Sequence, residues 1–177
     1  VYTMEEEICE KKGSDTEAQP LEERVFHLLR EKGLTLSTAE SCTGGLVAAR
    51  IVNVPGSSEV LKAGLITYTN KMKRKYLGVK KSTLRKYTAV SKETAREMAK
   101  GGCRETGTDV CVSVTGFAGP DGGGKDQPAG LVYIGCCAGD HVTVRRFLFA
   151  GGRNEVRRQA AEAALRLLGE TVQKIYS

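Results

Sequence analysis

The sequence predicts an α/β fold, a three-layer α/β/α sandwich on a mixed sheet of about five or six strands. Three observations carry that prediction. Stretches with helical apolar spacing alternate with short alternating or β-branched stretches along most of the chain. One short stretch, Asp109 to Thr115, is largely apolar and β-branched, as a strand covered on both faces must be, and is therefore expected to be central. Near the end, Leu131–Cys137 and His141–Phe149 flank Ala138-Gly139-Asp140, a hairpin signal that makes part of the sheet antiparallel.

In order, Val1-Tyr2-Thr3 hints at a strand, but residues 1–19 are rich in Glu, Lys and small polar residues and lack a starting Met. They read as a linker or the end of an upstream region, with one domain over 20–177. Leu21 to Glu31 places Leu21, Val25, Leu28 and Leu29 on one stripe of a helix, and Gly33 stops it. Leu34 to Thr38 alternates like a strand, and Leu46 to Val52 reads as a helix ended by Pro55-Gly56. Ala63 to Thr69 is a second strand, Asn70 to Tyr76 a helix ending near Gly78, and Ser91 caps a helix reaching about Glu105. Gly116 to Gly130 is a glycine-rich loop, and Arg153 to Leu168 a final amphipathic helix.

The 177 residues suffice for one sizeable core, with an ordinary balance of 40% hydrophobic and 27% charged residues. No apolar run reaches the ~18 residues that span a bilayer, and the polar, acidic opening is not a signal peptide. The six cysteines lack metal-ligand spacing, and Cys136-Cys137 on one strand must face opposite ways. They read as small core residues in a reducing, cytoplasmic compartment. The net charge is +6, and Lys71 to Lys86 alone holds eight Lys or Arg. With only Tyr76 and Tyr87 as aromatic neighbours and no nucleic-acid-binding signature, this run reads as a solvated face attracting an anionic substrate.

Three glycine-marked polar places stand at strand ends: Thr38 to Gly45, Tyr68 to Lys73, and Thr115 to Pro120. Ligands of open α/β sheets bind beyond the carboxyl ends of strands, so all three are expected at one pocket. The first offers Ser41, Cys42 and Thr43 as hydroxyl or thiol nucleophiles, with free N–H groups over Thr43, Gly44 and Gly45 to hold an oxyanion. Neither His27 nor His141 lies in a motif, so a hydroxyl needs another base. A desolvated lysine serves, Lys73 or the nearby Lys71. Neither histidine belongs to a ligand cluster, so no metal or other cofactor is expected.

The motifs T-A-E-S-C-T-G-G at 38–45, G-L-I-T-Y-T-N-x-x-K at 64–73, T-G-F-A-G-P-D-G-G at 115–123 and G-x-R-x-x-V-R at 151–157 resemble the CinA C-terminal domain family. That resemblance covers roughly Leu21 to Leu168. It implies a mixed-sheet fold like anticodon-binding domains, no metal, and hydrolysis of nicotinamide mononucleotide to nicotinate mononucleotide and ammonia in pyridine-nucleotide salvage. It also implies a Ser–Lys amidase with Ser41 as nucleophile, assisted by Tyr68 and Lys73. Cys42 is the rival nucleophile, without a matching His or Asp. Arg153 and Arg157, one helical turn apart, are expected to clamp a 5′-phosphate. Thr43, Gly44, Gly45, Asn70, Thr115, Gly116, Ala118 and Gly119 are expected to line the substrate site. The sequence departs from the family pattern at Phe117, Ala129 and Gly152, where Ile, Val and Asp are more usual. The family includes proteins fused behind a competence/damage-inducible domain, so an upstream domain is an expected partner, together with a homo-oligomer but no membrane or nucleic acid. The other reading is a non-catalytic nucleotide-binding or interaction module of such a larger protein.

Overall fold

A computed structural model describes residues 2–6 and 19–177. Its six-stranded sheet runs β1 (Tyr2–Glu6), β6 (His141–Leu148), β5 (Leu131–Ala138), β4 (Val110–Gly116), β2 (Leu36–Glu40), β3 (Leu61–Ile66) from edge to edge. The β1/β6, β4/β2 and β2/β3 pairs are parallel, and β5 is antiparallel to both β4 and β6, so the sheet is mixed as predicted. The strand hinted at by Val1-Tyr2-Thr3 is found over Tyr2–Glu6, inside the stretch read as linker; the rest of that stretch up to residue 18 lies outside the described residues.

Helices cover both faces. On one side lie α1 (Leu21–Glu31), α2 (Leu46–Val52) and the long α6 (Arg153–Ile175). Their Phe26, Leu29, Val47, Ile51, Leu165 and Leu168 pack with Val110, Val112, Val114, Val132 and Ile134 of the sheet. Arg50 ties this layer together, donating to Glu22 and Glu162 at 2.5 Å each. On the other side lie α3 (Asn70–Leu77), α4 (Lys81–Tyr87) and α5 (Lys92–Thr106), whose Leu77, Met98, Ala95 and Ala99 cover Ala39, Cys111, Cys137 and Val144. This double cover explains why every residue of β2 is buried, polar ones included. Cys136 and Cys137 face opposite layers, as strand alternation requires.

Several boundaries moved for physical reasons. The first predicted strand is shifted to Leu36–Glu40, because Thr38, Ala39 and Glu40 pair with β3 and β4 on both sides. The second ends at Ile66, because Thr69 turns the chain into α3, its hydroxyl accepting from Met72 N at 3.3 Å. Helix α4 lies in a basic run with no apolar stripe, and only Thr83 of it is buried. The last helix continues past Leu168 to Ile175. No helix among the described residues is long and apolar enough to cross a membrane. Strands β2, β3 and β4 are parallel, so their carboxyl ends at Glu40, Ile66 and Gly116 open on the same side of the sheet.

Candidate active site

Strand parity sorts the nucleophile candidates. Leu36 belongs to the core under α2 and α6, while Ala39 belongs to the core under α3 and α5. Past the strand end, Cys42 packs into the first core and Ser41 meets α3 on the other side. Burial pushes the Cys42 thiol up to about 11, against weaker opposing influences from its own backbone N–H and from Lys73. An apolar pocket thus keeps this thiol protonated and poorly nucleophilic.

Lys73 is one turn into α3 and points inward, whereas Lys71, Arg74 and Lys75 on the same helix are exposed. It is only 1% exposed. Its Nζ donates to Ser41 Oγ at 2.9 Å and to the Thr67 carbonyl at 2.9 Å. Among the described residues no carboxylate accepts from it. Burial therefore lowers its pKa from 10.5 to about 8, and only the Cys42 sulfur acts in the opposite direction. The result is a buried amine, hydrogen-bonded to a hydroxyl, whose neutral form is far more accessible than that of an exposed lysine.

Around this pair lies a cleft of about 250 Å³. Of the residues expected there, Ser41, Tyr68, Asn70, Lys73, Thr115, Gly116, Ala118, Gly119 and Arg153 line it. The Thr115 hydroxyl donates to the Ala89 carbonyl at 2.7 Å, holding the cleft floor to the segment before α5. Tyr68 is 55% exposed at the mouth. Arg153 reaches across, donating to Tyr68 Oη at 2.9 Å and to the Gly119 carbonyl at 2.7 Å. One guanidinium therefore joins the end of β3, the glycine-rich loop and α6.

Thr43, Gly44, Gly45 and Arg157 are not among the lining residues. The Gly44 N–H donates to the Ser41 carbonyl at 3.0 Å and the Gly45 N–H to Glu40 Oε2 at 2.9 Å, so two of the three amides expected to be free are engaged. The Cys42 and Thr43 N–H groups have no backbone acceptor among the described residues. Positive φ values of 58° and 101° at Gly44 and Gly45 close the turn, a conformation costly for other residues. Arg157 sits behind it, donating to the Cys42 and Thr43 carbonyls at 3.0 Å each.

Sequence reasoning missed Glu40. It is 1% exposed and accepts from the N–H groups of Gly45, Val47 and Ala48 at 2.9, 3.2 and 3.0 Å, and from Thr38 Oγ1 at 3.1 Å. The signal was an acidic residue just before a helix start, where the unsatisfied amides favour an anion. Also unforeseen at the cleft are Ala89, Val90 and Asp121, while Phe117 lies in the loop expected there. Phe117 fills the space over Gly123, where a Cβ would stand 2.4 Å from its ring. Lys71 is exposed and does not line the cleft. His27 accepts or shares a hydrogen bond with Arg30 on α1, remote from the strand ends. Among the described residues no three His, Cys, Asp or Glu side chains are grouped to hold a metal ion.

The four motifs thus meet at one set of strand ends, and the family model for the CinA C-terminal domain matches residues 18–172. The chain belongs to the CinA C-terminal domain family. It is 47% identical over 175 residues to a putative competence-damage inducible protein of Alkaliphilus oremlandii, covering 97% of this chain and 42% of that protein. It is 51% identical over 168 residues to a CinA-like protein of Kosmotoga olearia, covering 93% of this chain and 41% of that protein. This CinA domain therefore spans about two fifths of the length of these relatives. Among solved structures, a CinA superfamily protein of Klebsiella pneumoniae superposes with a TM-score of 0.84 at 33% identity, covering 88% of this chain and 99% of that one. A competence/damage inducible protein of Agrobacterium tumefaciens gives 0.81 at 37% identity, covering 90% and 99%.

Proposed function

We propose that the protein hydrolyses the carboxamide of nicotinamide mononucleotide, giving nicotinate mononucleotide and ammonia. The observation that carries this reading is the 2.9 Å contact between the buried Lys73 amine and Ser41 Oγ, with the amine pushed down to about 8. Neutral Lys73 takes the hydroxyl proton as Ser41 Oγ bonds to the carboxamide carbon. The Thr67 carbonyl keeps the amine aimed at the hydroxyl. The developing oxyanion is met by the N–H group of Cys42, which lines the cleft beside Ser41. Lys73 returns the proton to the departing nitrogen as the C–N bond breaks and ammonia leaves. It then takes a proton from water, which attacks the ester carbon, and gives it back to Ser41 Oγ as the carboxylate forms.

Arg153, at the mouth beside Tyr68, is suited to the substrate phosphate, and the exposed basic residues of α3 and α4 favour an anionic substrate. Tyr68, held by Arg153, orients the substrate at the entrance. Because relatives carry further sequence, the decisive test uses this chain alone. Nicotinamide mononucleotide is incubated with the parent and with Ser41→Ala, and ammonia and nicotinate mononucleotide are measured. Equimolar release of both products by the parent alone is expected. A folded parent that releases neither defeats the amidase reading and leaves a binding module.

A further inference from the structure

Arg157 follows Arg153 by one helical turn but faces the back of the nucleophile turn rather than the cleft. Its Nε donates to the Cys42 carbonyl and its Nη2 to the Thr43 carbonyl, both at 3.0 Å, while Nη1 donates to Asn154 Oδ1 at 3.3 Å. A planar fork on two successive carbonyls constrains the backbone strongly.

The consequence follows from peptide planarity, which places each N–H opposite the carbonyl of its own plane. The Cys42 carbonyl shares a plane with the Thr43 N–H, so holding the one fixes the direction of the other. The Thr43 carbonyl shares a plane with the Gly44 N–H, which donates to the Ser41 carbonyl at 3.0 Å. The Ser41 carbonyl in turn shares a plane with the Cys42 N–H. Arg157 thus fixes the Thr43 N–H directly and the Cys42 N–H through Gly44. Of these two amides, neither of which has a backbone acceptor among the described residues, that of Cys42 lies at the cleft. A Cβ on Gly44 would lie 3.4 Å from Arg157 Nη2, in ordinary van der Waals contact, so the guanidinium packs directly against the turn.

We propose that Arg157 is a positioning residue that orients the oxyanion-binding amide of Cys42 by holding the turn's carbonyls from behind, and that it does not bind the substrate phosphate. Its charge contributes as well as its geometry, since a carbonyl that accepts from a cation is polarised and its peptide N–H donates more strongly. Glu40 anchors the other end of the turn through the Gly45 N–H, so the loop carrying Ser41 is held at both ends. The proposal rests on Ser41 as nucleophile.

The experiment compares the parent with Arg157→Lys, which keeps a positive charge but loses the fork, and with Asn154→Ala, which frees the third guanidinium nitrogen. Ser41 is labelled with a fluorophosphonate: Ser41 Oγ bonds to phosphorus, fluoride leaves, the hydroxyl proton passes to Lys73, and the phosphoryl oxygen occupies the oxyanion position. Labelling rates are read by mass spectrometry, with circular dichroism for folding. Steady-state kinetics on nicotinamide mononucleotide and its unphosphorylated riboside accompany them. Arg157→Lys is expected to slow labelling and kcat together by roughly 10–100-fold, by the same factor on both substrates, with KM within about twofold. Asn154→Ala is expected to move both rates the same way by about 2–5-fold, and it decides the matter if Arg157→Lys does not fold. Unchanged labelling overturns the proposal, as does a loss confined to the phosphorylated substrate and expressed in KM. A parent labelled at Ser41 that does not turn over the mononucleotide defeats the substrate assignment only, because the labelling rates still test Arg157. A parent labelled elsewhere than at Ser41 defeats the nucleophile and this proposal together.

Discussion

Lys73 is the residue whose environment departs furthest from its chemistry. Moving its pKa from 10.5 to about 8 means that the buried charged form is disfavoured by roughly 3 kcal/mol relative to water. The sign follows from proton binding. Between about 8 and 10.5 the unfolded chain holds a proton that the folded chain has released, so this residue adds stability as pH rises through that window and opposes folding below it. Two outcomes are expected. The rate should climb with pH along a limb centred near 8 and then level off, and Lys73→Arg should be nearly inactive because arginine stays protonated. Lys73→Met should lose activity yet melt several degrees higher than the parent at pH 6–7, about 2–4 °C per kcal/mol for a chain of this size. A pH–rate profile with parallel thermal melts checks both, and a pH-independent rate would remove Lys73 as the base. Beside it, Ser41→Ala should lower turnover by at least about 10³-fold. Cys42→Ala should stay within about threefold, because that thiol is packed into the opposite core and held protonated.

At the scale of elements, the turn between β2 and α2 is held by a carboxylate on its amides and a guanidinium on its carbonyls. Among the described residues Glu40 has no cation as a hydrogen-bond partner, and it answers backbone N–H groups that α2 itself cannot satisfy. Replacing it with Gln turns one acceptor into a donor facing other donors. Glu40→Gln is therefore expected to cost about 1–3 kcal/mol of folding stability, as at least one amide at the start of α2 loses its acceptor. It should also lower kcat, since Gly45 and the turn before it lose their anchor. Urea titration read by circular dichroism measures the first effect. A midpoint shift of less than ~0.3 M, with m unchanged, would mean that the amides find other partners. The opposite edge of the site depends on Arg153, which holds Tyr68 and Gly119. Arg153→Glu should raise KM for the phosphorylated substrate more than for the riboside, and equal loss on both would assign Arg153 to loop positioning alone.

For the whole molecule, the parallel arrangement of β2, β3 and β4 matters most, because it gathers three strand ends on one side and leaves the antiparallel β5 and β6 to complete the core. The layer of α3 and α4 beside that opening exposes Lys71, Arg74, Lys75, Lys80, Lys81, Arg85 and Lys86 with no carboxylate within the two helices. Such a surface raises the local concentration of an anion and is screened within ~8–10 Å at physiological salt. Raising NaCl from 50 to 300 mM is expected to lower kcat/KM for the mononucleotide by about 3–10-fold while not lowering it for the phosphate-free riboside, whose pyridinium is cationic. Parallel loss on both substrates would show that salt acts on the fold or on Lys73 instead.

Much of this was legible in the sequence. The α/β/α class, the central position of Val110–Gly116, the β5/β6 hairpin and the placement of Ser41, Tyr68 and Lys73 at strand ends followed from periodicity, glycine punctuation and motif resemblance. These are local signals, set by the spacing of residues along one chain segment. The strand at Tyr2–Glu6 and the helix Lys81–Tyr87 carried little such signal, since one is held by its parallel partner β6 and the other is short and almost wholly solvated. What only the tertiary structure decided was direction and company. Composition alone leaves Lys73 and Lys71 as alternatives, the motif favours Lys73, and burial against the strand ends shows why it differs from its exposed neighbours Lys71, Arg74 and Lys75. Arg153 and Arg157 read as one pair, and their partners separate them into a guanidinium at the cleft and one behind the nucleophile turn. Glu40 reads as a polar residue of a turn until three amides of the following helix converge on it. A charged side chain's role depends on which groups, distant in sequence, replace the water around it, and only the assembled layers supply those groups.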